Sequence, residues 1–110
     1  MANDYKILGQ LACAATTEEA VYKVPASHAA VISSVVICNR TSSAVTFRLY
    51  VNQGDGATGN KDYLYYDVSL PGNDTFVATI GITMAATDEM RFYASAASLS
   101  VNAYGNELDV

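Results

Sequence analysis

The alternation in AVTFRLYVN, Ala44 to Asn52, leaves few architectures open. Val45, Phe47, Leu49 and Val51 fall on one side of an extended chain, and Thr46, Arg48 and Tyr50 fall on the other. Successive side chains of a strand point to opposite faces, so this segment predicts a strand with one face on a core and the other toward water. The pattern recurs in DTFVATIGITM, with Phe76, Ala78, Ile80 and Ile82 against Val77, Thr79 and Thr83. It recurs again in SLSVNAYG, with Leu99, Val101 and Ala103 against Ser100, Asn102 and Tyr104.

Runs rich in β-branched and aromatic residues predict further strands over Tyr5 to Leu11, Ala20 to Val24, Ala30 to Asn39, Asp62 to Leu70 and Met90 to Ser95. Turn-forming stretches separate them: VPAS, NRTSS, NQGDGATGN, PGND and AATDE. The segment TTEEAVYK carries helix-start residues, but Tyr22, Val24 and Pro25 limit it to about one turn, so it predicts a loop leading into a strand. Strand plus turn repeats at about ten residues, the rhythm of a sandwich. The expectation is an all-β chain: a single-domain antiparallel β-sandwich over residues 1–110, jelly-roll-like, with about eight strands.

The run VPASHAAVISSVVICNR has mostly apolar residues on both faces. Strict alternation places Val31, Ser33, Val35 and Ile37 on one side and Ile32, Ser34, Val36 and Cys38 on the other. That predicts a central strand covered on one side by its own sandwich and on the other by a neighbour or a loop. The chain is 51% hydrophobic and only 15% charged, against a usual charged share of about a quarter. Either the surface is bland or other subunits cover part of it.

A net charge of -5, with six scattered basic residues, offers no cationic stripe for phosphates, which argues against nucleic-acid binding. Every apolar run is interrupted before the length a membrane helix needs, so a soluble chain and no membrane partner are expected. The start MANDYKILGQLACAA has Asp4 where a signal would be basic and Gln10 where a lipobox would want Leu. It predicts mature sequence folded in a cytoplasm. The two cysteines, Cys13 and Cys38, then default to reduced, buried small hydrophobes, with a bridge between them as the alternative. The triplets at Asn39 and Asn73 match a glycosylation signal that carries no weight without a secretory route.

Chemistry finds little purchase. His28 is the sole imidazole, and Ser27 beside it would point to the opposite strand face, so His28 is expected to begin a strand, half exposed or at a subunit contact. Two cysteines 25 apart without a CxxC or HxxxH pair do not make a zinc site. Asn52, Asp55, Asn60 and Asp62 could offer oxygen ligands to a cation, but the loop lacks the EF-hand pattern and reads first as a surface loop. Glu18 and Glu19 are adjacent and divergent, and Asp55, Asp62, Asp67, Asp74, Asp88 and Glu89 lie in or near turns, as solvated charge does. GDGATGNK lacks the ending and the strand-to-helix context of a phosphate loop. No catalytic residue, cofactor or metal is expected.

Eight tyrosines without a tryptophan are unusual, and DYLYYDV concentrates three of them. Alternation places Tyr63 and Tyr65 on one face and Tyr66 on the other with Leu64. Sheet packing, a subunit or host-surface contact, and a sugar-stacking platform all suit such residues. Tyr63, Tyr65 and Tyr66 are the candidate interface.

The segments YKILGQ, VPA, AVISSVVICN and AVTFRLYV, followed by LPGNDTFVATIGITMAATDEMRFYASAASLSVNAYGNE, resemble the small β-sandwich virion proteins of tailed bacteriophages, including marine and cyanobacterial phages. The likeness covers nearly the whole chain and rests on fold motifs, not catalytic ones. Ser27-His28 stands where the family often has a small residue followed by a polar one. The resemblance implies a non-enzymatic virion component that folds in the host cytoplasm. A head decoration or cement protein, or a neck, tail, baseplate or fibre subunit, would each fit it. Its expected partners are the major capsid protein or tail proteins and further copies of itself, with a trimer favoured. MANDYKIL and GNELDV are candidate bridging arms. A carbohydrate-binding adsorption module built on the three tyrosines and the Asn52 to Asp62 loop is the competing reading.

Overall fold

The alternating segments sort into two antiparallel sheets in a computed structural model that describes residues 3–54 and 56–109. The strands are β1 (Asn3–Ala12), β2 (Glu19–Lys23), β3 (His28–Asn39), β4 (Val45–Asn52), β5 (Tyr63–Leu70), β6 (Thr75–Ala78), β7 (Ile82–Met84), β8 (Glu89–Ala94) and β9 (Leu99–Asp109). One sheet has the order β1-β9-β3-β6, with β7 also pairing β3, and the other has the order β2-β8-β4-β5. The chain therefore doubles back between β4 and β5, so that β1 to β4 pair in turn with β9, β8, β7 with β6, and β5. A doubled ribbon wound into two sheets is a jelly roll, as expected from the sequence.

Nine segments occupy eight strand positions, because β6 and β7 lie end to end along one edge of β3. β7 pairs Ala30 to Ile32, and β6 pairs Val35 to Cys38. The alternating segment from Asp74 to Met84, read as one strand, is thus broken at Thr79 to Gly81. Ile80 leaves the sheet there and is 37% exposed, not inward as its parity suggested. The other predicted strands are present, with ends shifted by at most two residues except in β9, which runs four residues past Gly105 to Asp109.

The break faces a bulge. The pairing of β3 with β9 slips between Ile32 and Ser34, so Ser33 is an extra residue. A bulge puts two residues of one strand opposite one of its neighbour and resets the side-chain parity beyond it. Ala30, Ile32, Val35 and Ile37 are consequently buried, while Val31, Ser34, Val36 and Cys38 lie outward. This corrects the strict alternation, which grouped Val31 with Val35 and Ile32 with Val36. Gly105, opposite Ile32, fits the distorted ladder because it has no side chain: a Cβ there would lie 2.0 Å from the carbonyl oxygen of Val31.

The core between the sheets is built from the inward rows. Phe47, Leu49, Met90, Phe92 and Ala94 of one sheet meet Ile32, Val35, Ile37, Leu99, Val101 and Ala103 of the other, and all are fully buried. Phe47 stacks on Phe92 at 5.8 Å and meets Phe76 at 5.2 Å. Full burial of each of these side chains other than the two alanines contributes about 1.5–3 kcal/mol, which offsets much of the entropy lost on ordering the chain.

Polar side chains hold the ends. Asn39, 1% exposed, donates through Nδ2 to the carbonyls of Ser43, Leu70 and Pro71 and accepts at Oδ1 from the amide and hydroxyl of Thr41. At the opposite end the Tyr22 hydroxyl donates across the sandwich to Glu107 Oε2 at 2.5 Å, and Lys6 Nζ reaches Glu107 Oε1 at 3.0 Å. Both cysteines are free thiols, Cys13 in the core and Cys38 only partly buried on the outside of β3. The bridged alternative is therefore not present, and only Cys13 behaves as the buried small hydrophobe expected of both. Burial pushes the Cys13 thiol pKa up.

Candidate functional site

The outer face of the β2-β8-β4-β5 sheet gathers most of the outward aromatic and charged side chains of its strands. Arg48 and Tyr93 are direct cross-strand partners on β4 and β8. The Arg48 guanidinium carbon lies 4.3 Å from the ring centre of Tyr66 and 4.8 Å from that of Tyr93. A cation between two aromatic faces is held by both ring quadrupoles. Arg48 Nε also donates to Asp67 Oδ1 at 2.7 Å, which holds the guanidinium charged and fixed in orientation. Asp67 can reach it because its φ of 50° marks an irregular point of β5, a backbone state that aspartate tolerates better than most residues.

The irregular register of β5 decides which tyrosines meet. Pairing slips between Phe47 and Leu49 and again between Leu49 and Tyr50, so β5 carries extra residues against β4 on both sides of Tyr65. Tyr63 packs 4.8 Å edge-on to Tyr66 and 5.0 Å from Tyr50 on the outer face. Tyr65 turns inward to the core and meets Phe76 edge-on at 5.2 Å. The expected grouping of Tyr63 with Tyr65 is thus corrected: Tyr63 joins Tyr66, because the extra residue Leu64 resets the parity. Tyr66, 57% exposed, is the accessible member.

Beside this platform the loop after β4 folds back over Tyr50, which is 2% exposed although it points away from the main core. The Tyr50 hydroxyl donates to Glu18 Oε1 at 2.9 Å, and Thr58 Oγ1 donates to the same oxygen at 2.6 Å. Arg91 Nη1 contacts Glu18 Oε2 and the Gly56 carbonyl, both at 3.2 Å, while its Nε donates to Glu89 at 2.6 Å. The hydrogen bonds from Thr58 and Tyr50, with the Arg91 charge, hold the Glu18 carboxyl below its ordinary pKa. Burial, together with the Glu18 carboxylate, pushes the Tyr50 phenol pKa up.

Among the described residues, the possible cation ligands Asn52, Asn60 and Asp62 have separate surroundings. Asn52 is buried with its amide nitrogen donating to Thr58 Oγ1 and the Gly56 carbonyl, and Asn60 is exposed. Asp62 accepts from the Gly59 amide and pairs with Lys61, closing the short 3-10 turn Asn60–Asp62. Asp55 lies outside the described residues. Among the described residues no group of three Cys, His, Asp or Glu side chains could hold a metal ion. His28 opens β3, half-buried, as expected; its Nδ1 lies 2.9 Å from the Ala26 carbonyl and its Nε2 2.8 Å from Asp109 Oδ1. Neither nitrogen is directed at a hydroxyl.

Sequence reading located Tyr66 and Tyr63 but not Arg48, Tyr93 and Asp67, which complete the platform. The signal was present in part: Arg48 and Tyr93 are the outward members of the alternating runs VTFRLYV and EMRFYA. Their meeting with Tyr66 depends on how β4, β8 and β5 pair, which no local pattern reveals. Chemically the platform offers ring faces, a fixed guanidinium and a carboxylate.

No family model and no curated protein match this chain. Among solved structures, a chain from the structure of infectious bursal disease virus, Gx strain, is similar over 96% of this chain, with a TM-score of 0.56 and 8% identity. This chain spans 32% of that one, so the similarity is to one part of a larger polypeptide and lies in the fold.

Proposed function

We propose that this protein is a non-enzymatic structural component of a tailed-phage virion, a head decoration or cement protein that stabilises the shell by bridging capsid subunits. The observation that carries the reading is the jelly roll itself, which takes up nearly the whole chain and is similar to a chain in a virus structure. The sequence resemblance points to the same class of role. Its partners are the major capsid protein and further copies of itself, and the protein folds in the host cytoplasm before joining the particle. Among the described residues no helix is long and apolar enough to cross a membrane. Tyr63 and Tyr66, with Arg48 and Tyr93, form the surface we assign to a protein partner, because rings beside a charge-paired guanidinium are typical of contact hot spots.

Quantitative mass spectrometry of purified particles tests the assignment. Hundreds of copies per particle support head decoration, a few to some tens support the neck, tail, baseplate or fibre, and absence from the particle overturns the structural role. The exposure of Tyr66 beside Arg48 and Asp67 favours one second reading, a carbohydrate-binding adsorption module, since sugars stack on rings and bond to fixed polar groups. Titration with host glycans, followed by tyrosine fluorescence, tests it: a saturable change lost in Tyr66→Ala supports sugar binding, and no response to any glycan removes it.

A further inference from the structure

Among the described residues, the outer face of the β1-β9-β3-β6 sheet carries no formal charge. Its cross-strand rows run Tyr5, Asn106, Val31 and Thr83, then Ile7, Tyr104 and Ser34, then Gln10, Asn102, Val36 and Val77. The charged residues of these strands alternate to the other side, where Lys6 and Glu107 meet Tyr22 of the opposite sheet. Yet this face exposes large apolar groups: Tyr5 is 80%, Val77 55% and Ile7 52% accessible. Two shallow depressions mark it, one of about 310 Å³ along Gln10 to Ala12 and Ser100 to Asn102, and one of about 260 Å³ beside Tyr5 and the Ser33 bulge.

We propose that this face pairs with the same face of a second copy of the chain, related by a two-fold axis. Three observations select that occupant. First, the chain has a net charge of -5, and a second copy avoids burying any charge only by approaching through an uncharged surface. A partner chosen by opposite charge would find nothing to pair with here. Second, the face mixes apolar groups with amide and hydroxyl groups that both donate and accept, so it complements itself on rotation, as a two-fold contact requires.

Third, the area suffices. β3 has 12 residues, so a face four strands wide is about 40 Å by about 19 Å. Face-to-face pairing then buries roughly 1,500 Å² in total, the size of a standard stable interface. Sheets pack in this way inside sandwiches, about 10 Å apart. The pairing gives a dimer, where the resemblance to virion parts favours a trimer.

Light scattering of the whole protein at micromolar concentration tests this, with Val77→Glu/Asn102→Glu and, as a control at an exposed position of the opposite sheet, Ser69→Glu. The wild type and Ser69→Glu are expected at twice the 11.7 kDa chain mass, and the double variant at the monomer mass with an unchanged circular dichroism spectrum. Maleimide labelling gives a second readout that does not depend on a variant folding. Cys38 lies on this face in the row of Ala12, Ser100 and Thr75, so wild-type labelling should slow at least tenfold between nanomolar and high micromolar protein. A wild-type monomer, a three-fold mass, or Cys38 labelling independent of concentration would overturn the pairing. Those results would leave the virion role standing, since copy number tests that separately.

Discussion

A single buried amide does much to close this fold. Asn39 serves three carbonyls and three donors from the segments that join the sheets, so its loss leaves several buried groups unpaired. An unsatisfied buried group costs about 1–3 kcal/mol. Asn39→Ala should therefore destabilise by about 2–4 kcal/mol, and Asn39→Asp should also destabilise because a carboxylate cannot donate to the three carbonyls; urea unfolding measures both. Glu107 gives a pH signature. The Tyr22 hydrogen bond and the Lys6 contacts hold its folded-state pKa below the ordinary value. Its contribution is fully present above the unfolded pKa of about 4.3 and is lost as pH falls through the lower folded value. Melting temperature should thus fall less steeply below about pH 4.3 in Glu107→Gln than in the wild type; parallel acid limbs would show that Glu107 is not coupled to folding.

At the scale of strands, bulges decide which side chains meet. The rows of β4, β8 and β9 were legible in the sequence because their inward residues alternate without interruption, and Phe47, Phe92 and Val101 are buried as their parity requires. The faces of β3 and β5 were not legible, because an extra residue, at Ser33 in β3 and on each side of Tyr65 in β5, resets the parity beyond it while leaving the local composition strand-like. The inversion is a tertiary effect, set by the neighbouring strand. It also explains why Tyr65 packs on Phe76 while Tyr63 and Tyr66 share the platform. Gly105 checks the β3 geometry. Gly105→Ala forces a Cβ against the Val31 backbone and should cost about 1–3 kcal/mol, whereas Gly81→Ala, with open space around it, should change stability by less than about 0.5 kcal/mol. Equal effects in thermal melts would contradict the bulge.

For the whole molecule, β1 pairs with β9 and β2 with β8, so the sheets close only when distant segments meet. Topologies of this kind fold in about milliseconds to seconds. Stopped-flow refolding should give that range, and complete refolding well under a millisecond would contradict the winding described. The architecture was legible from strand spacing alone. The difference between the two outer faces was not, since an uncharged surface reads in sequence like any half-buried strand. The two sheets have unlike exteriors, one bearing a tyrosine and arginine platform and one without charge among the described residues, and these are the two surfaces that the proposals assign to partners. The most direct test is a density map of the purified particle at a resolution that outlines single domains. A repeating body of 45 × 27 × 20 Å on the particle, fitted by this jelly roll and touching its neighbours through these faces, is the predicted result. A particle that contains the protein but has no such body, or from which the protein is missing, would contradict it.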